Sequence, residues 1–178
     1  MANRTIGLKL GLVGLLILSA AVVYAAVSLN SLAPASNAVP GWEALNADKL
    51  AANQDELWKI YNGGDGPWKT AGVTTAFQRY YKNTKVLTLI VHRTGGDWKK
   101  AKALYVKKDA AIKEQEGYQT VTLAKGAGSL ATPGQGTQAH FWNKYYYCTI
   151  QINGTSAAEV TAAKTFITKI STTITAKG

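Results

Sequence analysis

The sequence is short of the residue types on which most metal and redox sites depend. Its 178 residues include one cysteine, Cys148, and two histidines, His92 and His140. A single cysteine excludes a scaffold of intrachain disulfides, and three scattered soft ligands do not meet the short paired spacings of a four-ligand zinc site. We therefore expect no bound metal and no cofactor. Cys148 lies in a tyrosine-rich segment, which predicts a buried and unreactive thiol rather than the nucleophile of a Cys/His pair.

Acidic residues are scarce as well, with ten Asp and Glu against twenty Lys and Arg and a net charge of +10. Two of the acids, Asp65 and Asp97, fall in glycine-rich turns, where Asp is common for conformational reasons. His140 lies in an apparent strand beside Phe141 and Trp142, where a half-exposed histidine is expected. Since no base, nucleophile and orienting group can be assembled, the sequence predicts no catalytic residue and a protein that is not an enzyme.

The glycine-rich segment 126–136 lacks the features of a nucleotide-binding loop. It has no Gly-Lys-Ser/Thr sequence, Pro133 interrupts it, and the residues that follow are strand-like rather than helical. Without a following helix N-terminus there is no group to hold a phosphate. We therefore predict a mobile surface loop here.

What the sequence does contain is a long stretch without charge, the 33 residues 10–42. Within it, Leu10–Leu29 is an apolar run that as a helix would be about 30 Å long and would span the hydrocarbon core of a bilayer. Arg4 and Lys9 precede the run, so the positive-inside rule places the N-terminus in the cytoplasm and the C-terminal domain in the periplasm or outside the cell. A cleaved signal peptide is the competing interpretation, but its apolar core is usually shorter. We favour an uncleaved single-span anchor in a bacterial cytoplasmic membrane.

One face of the predicted span is rich in small residues. Spacings of three and four place six positions on a common helical stripe: Gly7, Gly11, Gly14, Leu18, Ala21 and Ala25. Because helices in lipid associate through close backbone approach, this stripe predicts packing against a helix of another membrane protein. Pigments or lipids are further expected contacts of the span. The alternative is that the stripe reflects only the abundance of Gly and Ala in this segment.

Downstream of residues 1–29, which form the cytoplasmic N-terminus and the anchor, the sequence predicts a linker over residues 30–41 and one α+β domain over residues 42–178. Capping patterns indicate helices at three places: Asn53–Glu56, Asp97 and Ser156–Glu159. Runs of β-branched and aromatic residues indicate five strands: Val73–Tyr81, Lys85–Arg93, Tyr118–Ala124, Gln138–Trp142 and Tyr145–Ile152. Short turns at Lys82–Thr84 and Asn143–Lys144 predict that the first two of these strands form one hairpin and the last two another. The order of helices and strands predicts an antiparallel sheet packed with helices on one face.

A short motif followed by this element order carries a family resemblance. The segment Leu57–Gly64 precedes the strand pair Val73–Tyr81 and Val86–Val91, and the helix that starts at Asp97 comes next. Over residues 42–177 this arrangement resembles a family of bacterial exported or anchored α+β domains of unknown function. The resemblance implies a small extracytoplasmic domain and no known chemistry.

The positive charge is concentrated on one predicted helix. From Glu43 onward the net charge is +8, from 18 Lys and Arg against 10 Asp and Glu, and five candidate binding residues lie close together: Lys99, Lys100, Lys102, Lys107 and Lys108. We expect the helix to turn its apolar side onto the sheet and its lysines outward, the apolar positions being Trp98, Ala101, Leu104 or Tyr105, and Ile112. Anionic lipid headgroups or an acidic protein surface are the expected counterparts, and a merely solvated face is the alternative. Nucleic acid is not an expected partner, because the domain is placed outside the cytoplasm and has no nucleic-acid motif.

These features favour a single-span structural or accessory subunit of a larger bacterial membrane complex, with photosynthetic and respiratory assemblies as the first types to examine. The extracytoplasmic domain would dock on other membrane-protein subunits. A membrane-anchored module that binds a ligand or an envelope partner is the alternative. A filament subunit is a weaker alternative, because no leader-peptidase signal precedes the apolar run.

Overall fold

The computed structural model describes residues 27–177. The predicted stripe from Gly7 to Ala25 and nearly all of the predicted span Leu10–Leu29 lie outside these residues. Within the described part, no helix has the length and hydropathy needed to cross a membrane. The anchor, the stripe and the membrane orientation therefore stay predictions.

An antiparallel sheet of eight strands forms the centre of the described domain. In chain order the strands are β1 (Glu43–Ala44), β2 (Lys49–Ala51), β3 (Thr75–Lys82), β4 (Val86–Arg93), β5 (Gln119–Val121), β6 (Ala127–Ala131), β7 (Thr137–Asn143) and β8 (Tyr146–Ile152). They lie in the order β1-β3-β4-β8-β7-β6-β5, and β2 also pairs with β3. The predicted hairpins β3–β4 and β7–β8 are confirmed, the second with its turn at residues 144–145, where Lys144 has a φ of 52°.

The helices are α1 (Trp58–Tyr61), α2 (Gly66–Thr70), α3 (Trp98–Ile112) and α4 (Ala157–Lys177), with short 3-10 helices at Leu29–Leu32 and Gln54–Glu56. The predicted caps at Asn53, Asp97 and Ser156 precede the 3-10 helix Gln54–Glu56, α3 and α4, whereas α2 was not predicted and has no side-chain cap. The Asn53 side chain accepts a hydrogen bond from the amide of Glu56, and Asp97 accepts one from the amide of Lys99. The Glu159 carboxylate accepts from the amide of Ser156 at 3.0 Å. Each of these bonds satisfies an amide at a helix N-terminus that would otherwise be unpaired.

The helices cover both faces of the sheet, so the α+β class is confirmed but the predicted one-sided arrangement is wrong. Successive residues of a strand point to opposite faces. In β7, Phe141 belongs to the core against α4, whereas the ring of His140 lies 5.3 Å from Tyr105 of α3. In β8, Cys148 faces α4 and Tyr147 packs with the residues of α3. Because these strands carry large side chains at both parities, each face of the sheet needs a helix to exclude water.

The face under α4 holds the larger core, and the N-terminal segment helps to close it. Phe166 of α4 makes edge-on ring contacts with Trp42 and Tyr81, at centroid distances of 6.0 and 4.7 Å. Four apolar residues upstream of Trp42 are buried in the same core: Leu29, Leu32, Ala33 and Val39. The sequence analysis placed the start of the domain at Trp42, but the packed domain begins upstream of this residue. The division into anchor, linker and domain otherwise stays a prediction.

The glycine-rich segment 126–136 contains strand β6, so the prediction of a mobile surface loop is wrong for its first half. β6 pairs with both β5 and β7, and Gly128, Ser129 and Leu130 are buried. A Cβ placed on Gly128 would lie 3.2 Å from the Cβ of Phe141. The small residues of β6 therefore allow this strand to lie close to the large side chains of β7. Because β6 lacks β-branched residues, sequence analysis did not identify it as a strand.

Candidate functional site

Helix α3 presents an exposed face on which apolar and basic side chains are mixed. This face, the α3 patch, comprises Trp98, Lys99, Lys102, Val106 and Lys107, of which Trp98 is 49% and Val106 54% exposed. The predicted inward side is confirmed for Ala101, Leu104, Tyr105 and Ile112, which are buried. It is wrong for Trp98, which stacks on Trp142 at a centroid distance of 6.2 Å while much of its surface remains open.

The structure separates the five predicted binding lysines into different surroundings. Lys99, Lys102 and Lys107 lie in the α3 patch, and Lys102 Nζ is 6.0 Å from the ring centroid of Trp142. Lys100 runs instead across Gly72, where its side chain occupies the space that a Cβ would need. Lys108 points to the opposite side of α3, with its Nζ 5.6 Å from the ring centroid of Trp68. Only three of the five lysines therefore share one surface.

Trp98, the first residue of the α3 patch, lies at the same end of the sheet as the first described residues. At the C-terminus of α4, Lys177 Nζ donates to the carbonyl oxygen of Ser31 at 3.1 Å. Beside it, Thr175 Oγ1 accepts from Asn143 Nδ2 at 2.9 Å. Asn143 and Trp98 line the same hollow at this end of the sheet. Ser31 and Trp98 therefore share one end of the sheet, with Ser31 on the α4 face and Trp98 on the α3 face.

Next to α3, a half-buried aromatic stack joins three elements. Tyr61 and His92 are near-parallel, with ring centroids 6.1 Å apart, and the Tyr61 hydroxyl is hydrogen-bonded to His92 Nε2. They therefore lie side by side, and Trp68 of α2 stacks on both, at 4.9 Å from Tyr61 and 4.4 Å from His92. His92 Nδ1 donates to the carbonyl oxygen of Tyr147 at 2.8 Å. Burial lowers the pKa of the His92 ring to about 4, although the hydrogen bond to Tyr147 opposes the shift.

A second polar cluster connects α3 with β6 and β7. Asp109 Oδ1 accepts hydrogen bonds from Ser129 Oγ at 2.5 Å and from the Tyr118 hydroxyl at 3.1 Å. His140 Nε2 lies 3.1 Å from Ser129 Oγ and 3.8 Å from Asp109 Oδ1. His140 is only 5% exposed, so the expected half-exposed histidine is wrong, and burial lowers its pKa to about 4 although Asp109 opposes the shift. The sequence separation of these four residues concealed the cluster.

The Asp109, Ser129 and His140 cluster does not have the geometry of a nucleophilic triad. In a triad the acid holds one ring nitrogen of the histidine and the nucleophile meets the other. Here the hydroxyl and the carboxylate both approach Nε2, and Ser129 is fully buried. The cluster therefore ties α3 to the sheet, because Asp109 accepts the hydroxyl proton of Ser129, which is buried in β6.

The C-terminal half of α3, the end of α2 and the sheet enclose an open hollow of about 340 Å³, which we call the α3 cleft. Its floor consists of two cross-strand rows, one of Thr88, Gln151 and Gln138 and one of Ile90, Thr149 and His140. Its walls include Trp68, Lys108, Ala111, Ile112, Gln115 and Tyr147. Sequence analysis did not find this site, because its residues come from five elements and carry no local motif.

Two further sequence predictions concern cysteine and metals. Cys148 is buried as predicted, and burial raises the pKa of its thiol well above the ordinary value. Within residues 27–177, no cluster of three or more His, Cys, Asp or Glu side chains is placed to hold a metal ion. No family model, no curated protein and no solved structure matches this chain.

Proposed function

We propose that this protein is a single-span, membrane-anchored accessory subunit of a larger bacterial membrane complex, whose extracytoplasmic domain docks on a partner subunit through the α3 patch. The observation that carries the proposal is the exposure of Trp98 and Val106 on one helix face beside three lysines. Trp is enriched among the residues that dominate protein interfaces. A half-exposed Trp and a half-exposed Val, about two turns apart on one helix face, therefore supply apolar surface that a partner would cover.

The charge of the patch favours an acidic partner surface. The one acid within α3 is Asp109, and its carboxylate is engaged with Ser129 and Tyr118 on the inner side. The lysines of the patch are thus not neutralised by acids of their own helix. Each exposed pair with a partner carboxylate would contribute about 1 kcal/mol or less, so the lysines steer and orient the complex while the apolar centre supplies most of the affinity.

The position of the patch supports a partner in the same membrane. Trp98 of the patch lies at the end of the sheet where the described chain begins, on the face opposite to Ser31 and α4. The predicted span precedes Ser31, so a partner docked at Trp98 would reach the same end of the domain as the anchor. The predicted stripe from Gly7 to Ala25 would then pack against a helix of the same complex.

The test is co-purification of the full-length chain in mild detergent at low salt. We expect the triple variant Lys99→Glu, Lys102→Glu, Lys107→Glu to retain much less partner than the wild type, with the difference shrinking above about 0.3 M salt as the charges are screened. The matched control is Lys82→Glu, Lys113→Glu, Lys169→Glu, which changes the net charge equally at exposed lysines outside the patch. It should retain the partner.

Three outcomes would contradict the proposal. The triple variant could retain a normal amount of partner, or both triple variants could lose it equally, which would show an effect of net charge alone. The wild type could also co-purify with no stoichiometric protein and bind anionic vesicles of phosphatidylglycerol in a patch-dependent way. That result would assign the patch to lipid headgroups.

A further inference from the structure

We propose that the α3 cleft is a binding site for a hydroxyl-rich ligand that carries one carboxylate, the chemistry of a uronic acid in a saccharide. This site lies on the inner side of α3, away from the α3 patch, and it does not depend on the proposed docking function. An experiment can therefore contradict the ligand-binding proposal without contradicting the docking proposal, and the reverse is also true.

The floor of the cleft is a regular array of uncharged hydrogen-bonding groups. In the outer row Thr88 pairs with Gln151 across β4 and β8, and Gln151 pairs with Gln138 across β8 and β7. Neighbouring strands are about 4.8 Å apart, so the row presents one hydroxyl and two amides at that spacing. Hydroxyl and amide groups both donate and accept, as do the hydroxyls of a sugar. Such a surface suits a ligand with several hydroxyl groups in a row.

Polar groups around the cleft also remain without partners. The hydroxyl of Tyr147 and Oε1 of Gln115 are both buried and make no hydrogen bond to the described residues. Tyr147 is fully buried, and each residue contributes to the walls of the cleft. A buried polar group without a partner costs about 1–3 kcal/mol. Two of the seven such side-chain atoms within residues 27–177 thus belong to residues that line this hollow, where a bound ligand would offer them a partner.

The single charge in the cleft is positive. Lys108 is the one charged residue among the cleft's lining residues, its Nζ makes no ion pair within residues 27–177, and the neighbouring His140 is neutral at pH 7 because its pKa is lowered to about 4. An ammonium group beside uncharged amides favours one carboxylate on the ligand and disfavours a cation. The charge thus distinguishes an acidic sugar from an amino sugar.

Trp68 gives the cleft a fixed aromatic wall. Its indole is held on one side by the hydrogen-bonded pair of Tyr61 and His92, which leaves it little freedom to rotate. Lys108 Nζ lies 5.6 Å from its ring centroid, so the aromatic surface and the cation meet at the same end of the cleft. A wall that is ordered before binding lowers the entropic cost of binding.

The experiment is a titration of the full-length chain in detergent micelles with D-glucuronate, D-glucose and acetate, followed by isothermal calorimetry and by saturation-transfer NMR of the ligand protons. Glucuronate carries both hydroxyls and a carboxylate, whereas the other two probes carry one kind of group each. We expect glucuronate to bind about tenfold more tightly than either. Lys108→Gln should reduce the affinity for glucuronate about tenfold, to the level of glucose. Gln138→Ala should weaken both sugars.

The matched controls are Lys113→Gln, which removes another exposed lysine near the end of α3, and Gln135→Ala, which removes an exposed glutamine outside the cleft. Both should bind as the wild type does. Equal binding of acetate and glucuronate would overturn the proposal, because the site would then recognise only an anion. So would equal binding of glucose and glucuronate, absence of binding up to about 10 mM, or binding that Lys108→Gln and Gln138→Ala leave unchanged.

Discussion

The two faces of the sheet differ in what they bury. Under α4 the apolar core is larger and continuous, from Leu29 through Trp42 to Ile174, and its buried Asn143 is hydrogen-bonded to Ser171 of the helix. Under α3 a smaller apolar cluster surrounds polar groups, among them the neutral rings of His92 and His140 and the buried Ser129, and it borders the open α3 cleft. The same strands thus face a closed interior on one side and a polar, partly open one on the other.

This difference shows how stability and candidate function are divided in the molecule. Burial of apolar surface is the main source of folding free energy, and the α4 face supplies the larger share of it. The α3 face holds two buried, uncharged histidine rings, whose burial costs free energy, and it borders the open α3 cleft. Both candidate sites lie on α3 or beneath it. Three changes test the contrast, taken here from the largest expected effect of a single residue to the smallest.

Phe166→Ala should strongly destabilise the hydrophobic core under α4. The ring is fully buried and contacts Trp42 and Tyr81, so its removal leaves a cavity that the surrounding side chains cannot fill. We expect a loss of about 3–5 kcal/mol in the free energy of unfolding, measured by urea denaturation. The control is Trp98→Ala, which removes a large aromatic side chain from the exposed patch and should cost about 1 kcal/mol or less. A larger loss for Trp98→Ala would refute the assignment of the two faces.

Acidic pH should lower the free energy of unfolding through the two histidines on the α3 face. Burial lowers the pKa of both His92 and His140 from 6.5 to about 4, so between these pH values the unfolded chain binds protons that the folded chain does not. Stability is therefore complete above pH 6.5 and falls as the pH drops toward 4. Each histidine contributes on the order of 3 kcal/mol to this loss. The measurement is the free energy of unfolding at several pH values.

Variants assign this pH dependence to the α3 face. His140→Gln should remove about half of the slope between pH 6.5 and 4, whereas Phe166→Ala should lower the curve by a constant amount without changing its slope. A slope that survives when both histidines are replaced by Gln would show that other groups cause the acid sensitivity.

Tyr147→Phe and Tyr81→Phe compare one buried hydroxyl on each face. The Tyr81 hydroxyl donates to the carbonyl oxygen of Pro34 at 2.7 Å, whereas that of Tyr147 has no hydrogen-bond partner among residues 27–177. We expect Tyr81→Phe to cost about 1 kcal/mol and Tyr147→Phe to be neutral or slightly stabilising. Thermal unfolding of both variants measures the difference. A substantial loss for Tyr147→Phe would mean that its hydroxyl is satisfied within the folded protein, and the argument for the cleft would lose one of its supports.

Local patterns in the sequence predicted most of the elements. The capping residues Asn53, Asp97 and Ser156 mark helix starts within a few residues, because a cap depends only on neighbours along the chain. The β3–β4 hairpin follows from two apolar runs and a short turn. By contrast β6 was missed, because residues 127–131 have no strand propensity of their own and are held by pairing with β5 and β7.

The candidate sites could be predicted only in part. The lysines of α3 are visible in the sequence, but which of them share a surface depends on the rotation of the helix against the sheet. That rotation sends Lys108 to the cleft and leaves Trp98 outside. The partners of Asp109 lie 9 and 20 residues away in sequence, and no periodicity connects them.

The sequence by itself determined the charge, the long uncharged run, the helix caps, the β3–β4 and β7–β8 hairpins and the α+β class, since each depends on composition or on residues close in the chain. Only the tertiary structure decided that helices lie on both faces, that His92 and His140 are buried and neutral, and that Trp68, Lys108 and the floor of β4, β7 and β8 meet in one cleft. The physical reason is that burial and side-chain contact arise from strand order and helix packing, which join residues far apart in sequence.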